Sequence, residues 1–173
     1  MKAYQPSIDL PSVWRTGNRV TEFFIEHLPN EIWGMTIPGT PHKTIRMVAG
    51  HIHNARCMWI KMMGKSYGIK IPRSVDRLKV TKPALRKALT YSNRGIIDLI
   101  KAGLDHGGIL NTKIPWSNIP PDILHFTAYL MAHEAHHRGQ IVLAARQLGH
   151  RLSPEITNGL WQWKRWNKET SGR

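Results

Sequence analysis

The 173-residue sequence has little of several features that would place it in well-known classes of protein. Its single cysteine, Cys57, cannot form an internal disulfide, so we expect a reducing, cytoplasmic setting. No run of about eighteen apolar residues is present, which argues against a membrane-spanning helix. The first residues also lack the apolar segment of a secretory signal. These absences favour a cytoplasmic protein that is not embedded in a membrane.

Acidic residues are also scarce, with 11 Asp and Glu against 25 Lys and Arg, which gives a formal net charge of +14. Such a charge can attract nucleic acid or another polyanion. The basic residues are scattered along the chain, however, and the densest group, residues 164–168, is too short and mixed for a nucleic-acid-binding arm. Nucleic acid is therefore an alternative partner and not the favoured one.

The chain contains enough apolar and aromatic residues for one folded domain, which we place at residues 1–173. Apolar residues recur at helical spacing in four long segments and one short closing segment. These segments are residues 12–28, 42–63, 81–106, 120–149 and a short C-terminal helix that contains Leu160, Trp161, Trp163 and Trp166. Residues 64–81 and 107–121 form two long connections, and no segment has a convincing strand pattern. The predicted fold class is all-α, with Trp side chains of the closing helix packed against the four main helices.

The strongest chemical signal is the sequence His-Glu-Ala-His-His-Arg-Gly-Gln at residues 133–140. His133 and His137 are four residues apart, so they lie on one face of the fourth helix, which its apolar residues direct towards the core. His51 lies on an inward stripe of the second helix. Three imidazoles predict a divalent transition-metal site that leaves positions open for water or substrate. Zn or Ni fits this donor set best, with Fe or Co as alternatives.

The same residues match the zinc-protease pattern H-E-x-x-H, in which Glu134 would be the base. One protease subtype needs Gly and His where this chain has Gln140 and Leu143. The other needs a downstream carboxylate, for which Glu155 could only just serve, and no strand precedes the motif to align a substrate. A metalloprotease is therefore disfavoured.

Several polar residues near the histidines are candidates for supporting roles. Glu134 follows a predicted ligand and is a candidate general base, although it could instead be an exposed carboxylate paired with Arg138. Arg56 and Arg138 could neutralise an anionic substrate or could be solvated. His136 flanks the pair as a hydrogen-bond donor or a packing residue, and Gln140 lies slightly off the ligand stripe.

Taken together, these motifs resemble the DinB/YfiT-like superfamily of metal-dependent enzymes. The resemblance rests on residues 133–140 and on four further matches. The further matches are Gly50-His-Ile-His-Asn-Ala-Arg56, Val75-Asp-Arg77, Leu148-Gly149 and Leu160-Trp-Gln-Trp163. Only the 133–140 motif is fairly specific, but together the matches span most of the chain.

The resemblance implies a four-helix bundle with up-down-down-up connectivity, a divalent metal held by His51, His133 and His137, and a homodimer. Characterised relatives include S-transferases and isomerases that use low-molecular-weight thiols. We therefore expect an enzyme that activates a thiol or water at the metal, as a transferase or a hydrolase, and acts on a small-molecule substrate. The alternative is a non-catalytic basic binding module, for nucleic acid or another polyanion, in which the metal is structural.

Overall fold

The computed structural model describes residues 6–110 and 121–171, and the described chain is helical without named strands. The helices are α1 (Pro6–His27), α2 (Ile45–Met63), α3 (Lys82–Asp105), α4 (Ile123–Gln147), α5 (Pro154–Gly159) and α6 (Trp163–Thr170), with a 3-10 turn at Lys65–Tyr67. The predicted all-α class is confirmed. None of the described helices is long and apolar enough to cross a membrane.

Side-chain caps explain where three of the long helices begin. The hydroxyl of Thr44 accepts from the amide of Met47, so α2 starts three residues later than predicted. Thr81 caps α3 in the predicted manner. Asp122 accepts from the amide of His125 and caps α4. The predicted α4 start at residue 120 falls just outside the described residues.

The four long helices enclose two connected apolar layers. One layer lies around Phe24, Ile52 and Ile141, and the other lies around Trp59, Ile96 and Phe126. Helix α1 packs against α3 and α4, and α2 also packs against α3 and α4. The two helices that carry the predicted metal ligands, α2 and α4, are therefore direct neighbours.

The two ends of the chain differ from the predictions. Helix α1 begins at Pro6 and not near residue 12, because buried Leu10 extends its apolar face through Pro11. The C-terminal segment forms two short helices instead of one. Of its tryptophans, Trp166 is buried against Phe23, whereas Trp161 is 82% exposed and Trp163 is also exposed. The predicted packing of several indole rings was therefore wrong, and one indole closes this end of the core.

Candidate metal centre

Three histidines from two helices meet in one cluster. His51 comes from α2, and His133 and His137 come from successive turns of α4. One ring nitrogen from each of the three lies within 4.8 Å of the others. The Nε2 atoms of His133 and His137 are 3.1 Å apart, and the His51 ring centroid lies 4.7 Å from that of His137. The structure thus brings together the three residues that the sequence predicts as ligands.

The ring of His137 is oriented by a side chain one turn further along α4. Its Nδ1 lies 2.8 Å from the amide oxygen Oε1 of Gln140, which can accept only from an N–H donor. The proton of neutral His137 therefore sits on Nδ1, and Nε2 presents its lone pair to the cluster. Gln140 thus supplies a supporting hydrogen bond that its i+3 spacing allows.

All three rings are half-buried, so they lie at the edge of the core and not fully inside it. Burial lowers the pKa of His133 to about 4, and repulsion by the other two imidazoles adds to the effect. Burial also lowers the pKa of His51 and His137, although the hydrogen bond with Gln140 opposes the shift in His137. The lowered pKa values favour the neutral form of each ring, in which one ring nitrogen keeps a lone pair that can bind a metal ion.

Glu134 does not join the histidines, although it follows His133 in the sequence. Its carboxylate is 2% exposed and accepts two hydrogen bonds from Arg56, at 2.6 and 2.8 Å. Thr21 of α1 donates a third, at 2.7 Å. Burial would raise the pKa of Glu134, but the ion pair and these hydrogen bonds outweigh it, and the pKa is lowered.

The Glu134 ion pair lies within a larger buried network. The Arg138 guanidinium donates to Thr21 at 2.6 Å and lies 3.9 Å from the Glu134 carboxylate. Arg56 donates in addition to Asn18 at 2.7 Å, and its guanidinium lies 4.9 Å from the centre of the Trp14 ring. The network therefore ties α1, α2 and α4 together through charges that water does not reach.

This network changes the interpretation of three residues. The alternative of an exposed Glu134 was wrong, although its predicted pairing with Arg138 is present. The interpretations of Arg56 and Arg138 as solvated or substrate-neutralising were also wrong, because both are buried and paired with Glu134. The role of Glu134 as general base remains a prediction, and its saturated carboxylate argues against it. The burial of Glu134 could have been predicted from the sequence, because this residue lies four positions after Leu130 and seven before Ile141, on the core face of α4.

A second group of polar residues on α2 holds the connection between α2 and α3. The Asn54 side chain exchanges two hydrogen bonds with the backbone of Val75, at 2.9 and 3.0 Å. Buried His53 lies between Ser92 and the carbonyl oxygen of Arg73. A Cβ on Gly50 would come 3.1 Å from Cγ of Arg77, so glycine lets this segment lie close to the helix. Residues 50–56 therefore carry one metal ligand and the anchors of the connection.

The remaining histidines lie away from the cluster or at its margin. His53 is bonded elsewhere, as its position around the helix predicts. His136 is exposed, with its ring centroid 5.1 Å from that of His137. His27, His42, His106 and His125 are exposed residues at helix ends or in loops. Among the described residues, no carboxylate or thiol adds a fourth donor to the cluster.

A cleft of about 550 Å³ opens beside the cluster, and His51 and His137 form part of its wall. The turn at residues 37–43, the first turns of α2, the 75–80 segment and the C-terminal half of α4 supply the rest of the wall. A small molecule in this cleft would reach two of the three rings. The size suits a ligand of ordinary metabolite dimensions.

The donor set fits a divalent transition metal. Metal–imidazole bonds of about 2.0–2.1 Å place the nitrogens of a tetrahedral site about 3.3 Å apart. The His133–His137 separation of 3.1 Å is already near this value, and the larger spacing within the cluster requires a small inward rotation of the His51 ring. Three protein ligands would leave at least one coordination position of such an ion for water or substrate.

Comparisons with known proteins agree with the fold and the cluster. The sequence model described as the DinB family matches residues 4–169. The search of curated proteins found no significant match, and neither did the search of solved structures. The matched range includes all three histidines and every described helix except the last residue of α6.

Proposed function

Because this chain belongs to the DinB family, we propose that it is a metal-dependent enzyme whose ion is held by His51, His133 and His137. The main support for the proposal is that the cluster of three neutral imidazoles lies beside an open cleft. A structural ion is normally enclosed by four protein ligands, whereas an ion that performs chemistry keeps one position for substrate or water. Zn or Ni suits the three imidazoles best, and Fe or Co is the alternative.

The bound ion would supply Lewis acidity that lowers the pKa of a thiol or a water molecule. A thiol substrate, such as a low-molecular-weight thiol, would make the protein an S-transferase, and water would make it a hydrolase. The chain contributes the neutral histidines, the Gln140 hydrogen bond that aims the lone pair of His137, and the cleft that admits the substrate. We assign Glu134 to holding α2 and α4 together and not to proton transfer.

The long helices would form an up-down-down-up four-helix bundle. This arrangement is supported by the packing of α1 and α2 against the same two neighbours, α3 and α4. The long connection at residues 64–81 would let α2 and α3 run in the same direction. We also propose a homodimer that forms through the outer face of α4, which is exposed and uncharged at Leu124, Ala128, Ala132, Gly139 and Leu143.

The first test is removal of one ligand. We expect the variant His137→Ala to lose stoichiometric metal, because two imidazoles bind a divalent ion much more weakly than three. Plasma emission analysis after zinc loading and desalting would measure the metal content per chain. The matched control is His136→Ala, which removes an exposed neighbouring imidazole and should keep about one ion per chain. Unchanged metal in the His137 variant would contradict the three-histidine assignment.

The second test concerns catalysis. The metal-loaded protein would be assayed with several low-molecular-weight thiols and a generic electrophile, in parallel with the His137→Ala variant. Turnover that depends on both metal and His137 is expected. The rival function is a basic binding module with a structural metal, which the net charge of +14 favours. A fourth protein ligand on the bound ion, detected by X-ray absorption spectroscopy, would support that rival.

A further inference from the structure

The cleft beside the histidines has a chemical character of its own. Its walls combine two cationic side chains, Lys43 and Arg77, with an apolar surface. From this combination we infer that the cleft binds an amphipathic organic anion, whose charged group contacts Lys43 and Arg77 while its apolar part lies on the wall. The inference rests on the proposed function in one respect, since it names the class of substrate that would reach the metal.

The two cations are available to a ligand. Neither Lys43 nor Arg77 forms an ion pair with another residue in the described ranges, and none of the described lining residues is acidic. Both cations line the same cleft as His51 and His137, so an anion between them and the metal would be attracted from two sides.

The backbone around each cation is fixed. Lys43 follows a turn in which its carbonyl oxygen accepts from the amide of Ile37 at 2.8 Å, and an isolated antiparallel bridge pairs Thr36 with Thr44. Arg77 lies on the segment after α2, and this segment packs against the helix. The aliphatic stem of Arg77 lies over Gly50, and the two hydrogen bonds of Asn54 fix the backbone two residues before it. The cations are thus presented by anchored segments and not by free loops.

The apolar part of the wall faces the same space. It is formed by side chains from the turn, from α2 and from α4, namely Ile37, Pro38, Met47, Val48 and Leu143. Leu143, at the edge of the cleft, is 57% exposed. A ligand with an alkyl or aryl portion would bury this surface, whereas a small inorganic anion would leave it in water.

Calorimetric titration with three probes of equal chain length would test the inference. Hexanoate, hexanol and hexylamine are unbranched six-carbon molecules with a negative, a neutral and a positive head group. Zinc-loaded protein should bind hexanoate about tenfold or more tightly than hexanol, because a charge-assisted contact contributes roughly this factor. Hexylamine should bind more weakly than hexanol.

A pair of double variants shows whether the two cations cause the preference. Lys43→Gln with Arg77→Gln should lower hexanoate affinity about tenfold and leave hexanol affinity unchanged. The matched control, Lys61→Gln with Arg94→Gln, removes the same charge from exposed positions of α2 and α3 outside the cleft. The control should bind hexanoate like the wild type, and circular dichroism would show that both variants are folded.

A metal-free arm separates this inference from the proposed function. The anion preference should persist at lower affinity without zinc, since the chain and not the ion positions Lys43 and Arg77. Wild-type protein that binds no zinc but still prefers hexanoate would overturn the metal-centre proposal alone. Equal affinity for hexanoate and hexanol would overturn the inference alone, and so would an equal loss of hexanoate binding in both double variants.

Discussion

At the residue scale, the behaviour of Glu134 is determined by the arginines around it and not by the histidine next to it in the sequence. Its carboxylate receives two hydrogen bonds from Arg56 and one from Thr21, so most of its lone pairs are engaged. A buried charge is stable only when it is paired in this way. The carboxylate therefore stabilises two buried guanidiniums, and this pairing argues against the predicted role as general base.

The variant Glu134→Gln should destabilise the protein by about 3–5 kcal/mol, because it leaves the buried charges of Arg56 and Arg138 uncompensated. Urea unfolding followed by circular dichroism would measure the loss. The control is Glu155→Gln, which neutralises an exposed carboxylate in α5 and should change stability little. A Glu134 variant with wild-type stability and lost turnover would instead identify this residue as the general base.

The lowered pKa values of the histidines predict a pH dependence for the metal-free protein. The pKa of His133 is about 4 in the fold, against about 6.5 for an unperturbed histidine, so the unfolded chain binds the proton first. Stability should therefore fall as the pH decreases from about 6.5 towards 4. Urea unfolding of metal-free protein at a series of pH values above about 5.5, where the carboxylates remain largely ionised, would show the slope.

Replacing the titrating ring isolates its contribution to this slope. His133→Gln keeps a polar side chain but binds no proton, so its stability should depend less steeply on pH than that of the wild type. The buried His53 ring, whose pKa is also lowered by burial, remains in the variant and accounts for part of the slope that is left. Identical slopes in the two proteins would refute the effect.

The sequence was informative about single residues where the pattern that identifies them lies within one helix. His133 and His137 could be paired because i, i+4 residues share a face, and His51 could be added because it lies among inward residues. The partners of Glu134 could not be found in this way. Arg56 is 78 positions away and Thr21 is 113 positions away, so only the packing of three helices makes the network visible.

At the element scale, α2 combines a metal ligand, an ion-pair partner and the anchors of a long connection within residues 50–56. Gly64 located the C-terminal end of α2, whereas its start was predicted three residues too early because the Thr44 cap was not recognised in the sequence. The shape of the following segment was not predictable, because it depends on hydrogen bonds between Asn54 and Val75 across 21 positions. The start of α1 was missed for a related reason, since burial of Leu10 outweighs the helix-breaking signal of Pro11.

The outer face of α4 provides a prediction at this scale. If two copies pair through its exposed apolar residues, Ala128→Arg should give a monomer of about 19.8 kDa, because it places two like charges in the interface. Size-exclusion chromatography with light scattering would compare it with the wild type, which should have twice that mass. Ala84→Arg, at an exposed position of α3, is the control and should remain dimeric. A monomeric wild type would rule out the dimer.

At the scale of the whole molecule, the positive charge is distributed over many elements. Exposed cations lie on several of the helices and on the connection between α2 and α3, among them Lys61, Lys79, Lys101, Arg146 and Arg165. Composition alone gave the size of the charge, but its distribution required the fold. A dispersed charge of this kind attracts polyanions without selecting among them.

We therefore expect weak, sequence-independent binding to duplex DNA that disappears near physiological salt, because displaced counterions provide most of the affinity. Fluorescence anisotropy with two duplexes of unrelated sequence, measured at low and at physiological salt, would test this. Both duplexes should lose binding together. Tight binding of one duplex at physiological salt would favour the basic binding module over the enzyme.

The ion pair between Arg56 and Glu134 bears on how the protein would acquire the proposed metal. It joins the two helices that carry the clustered histidines, one residue from His133, through protein side chains alone. The spacing of the imidazoles would then be set by folding, and loading the site would require little rearrangement of the backbone. We expect the chain to stay folded when the ion is removed, unlike a zinc finger, whose fold collapses when the metal leaves.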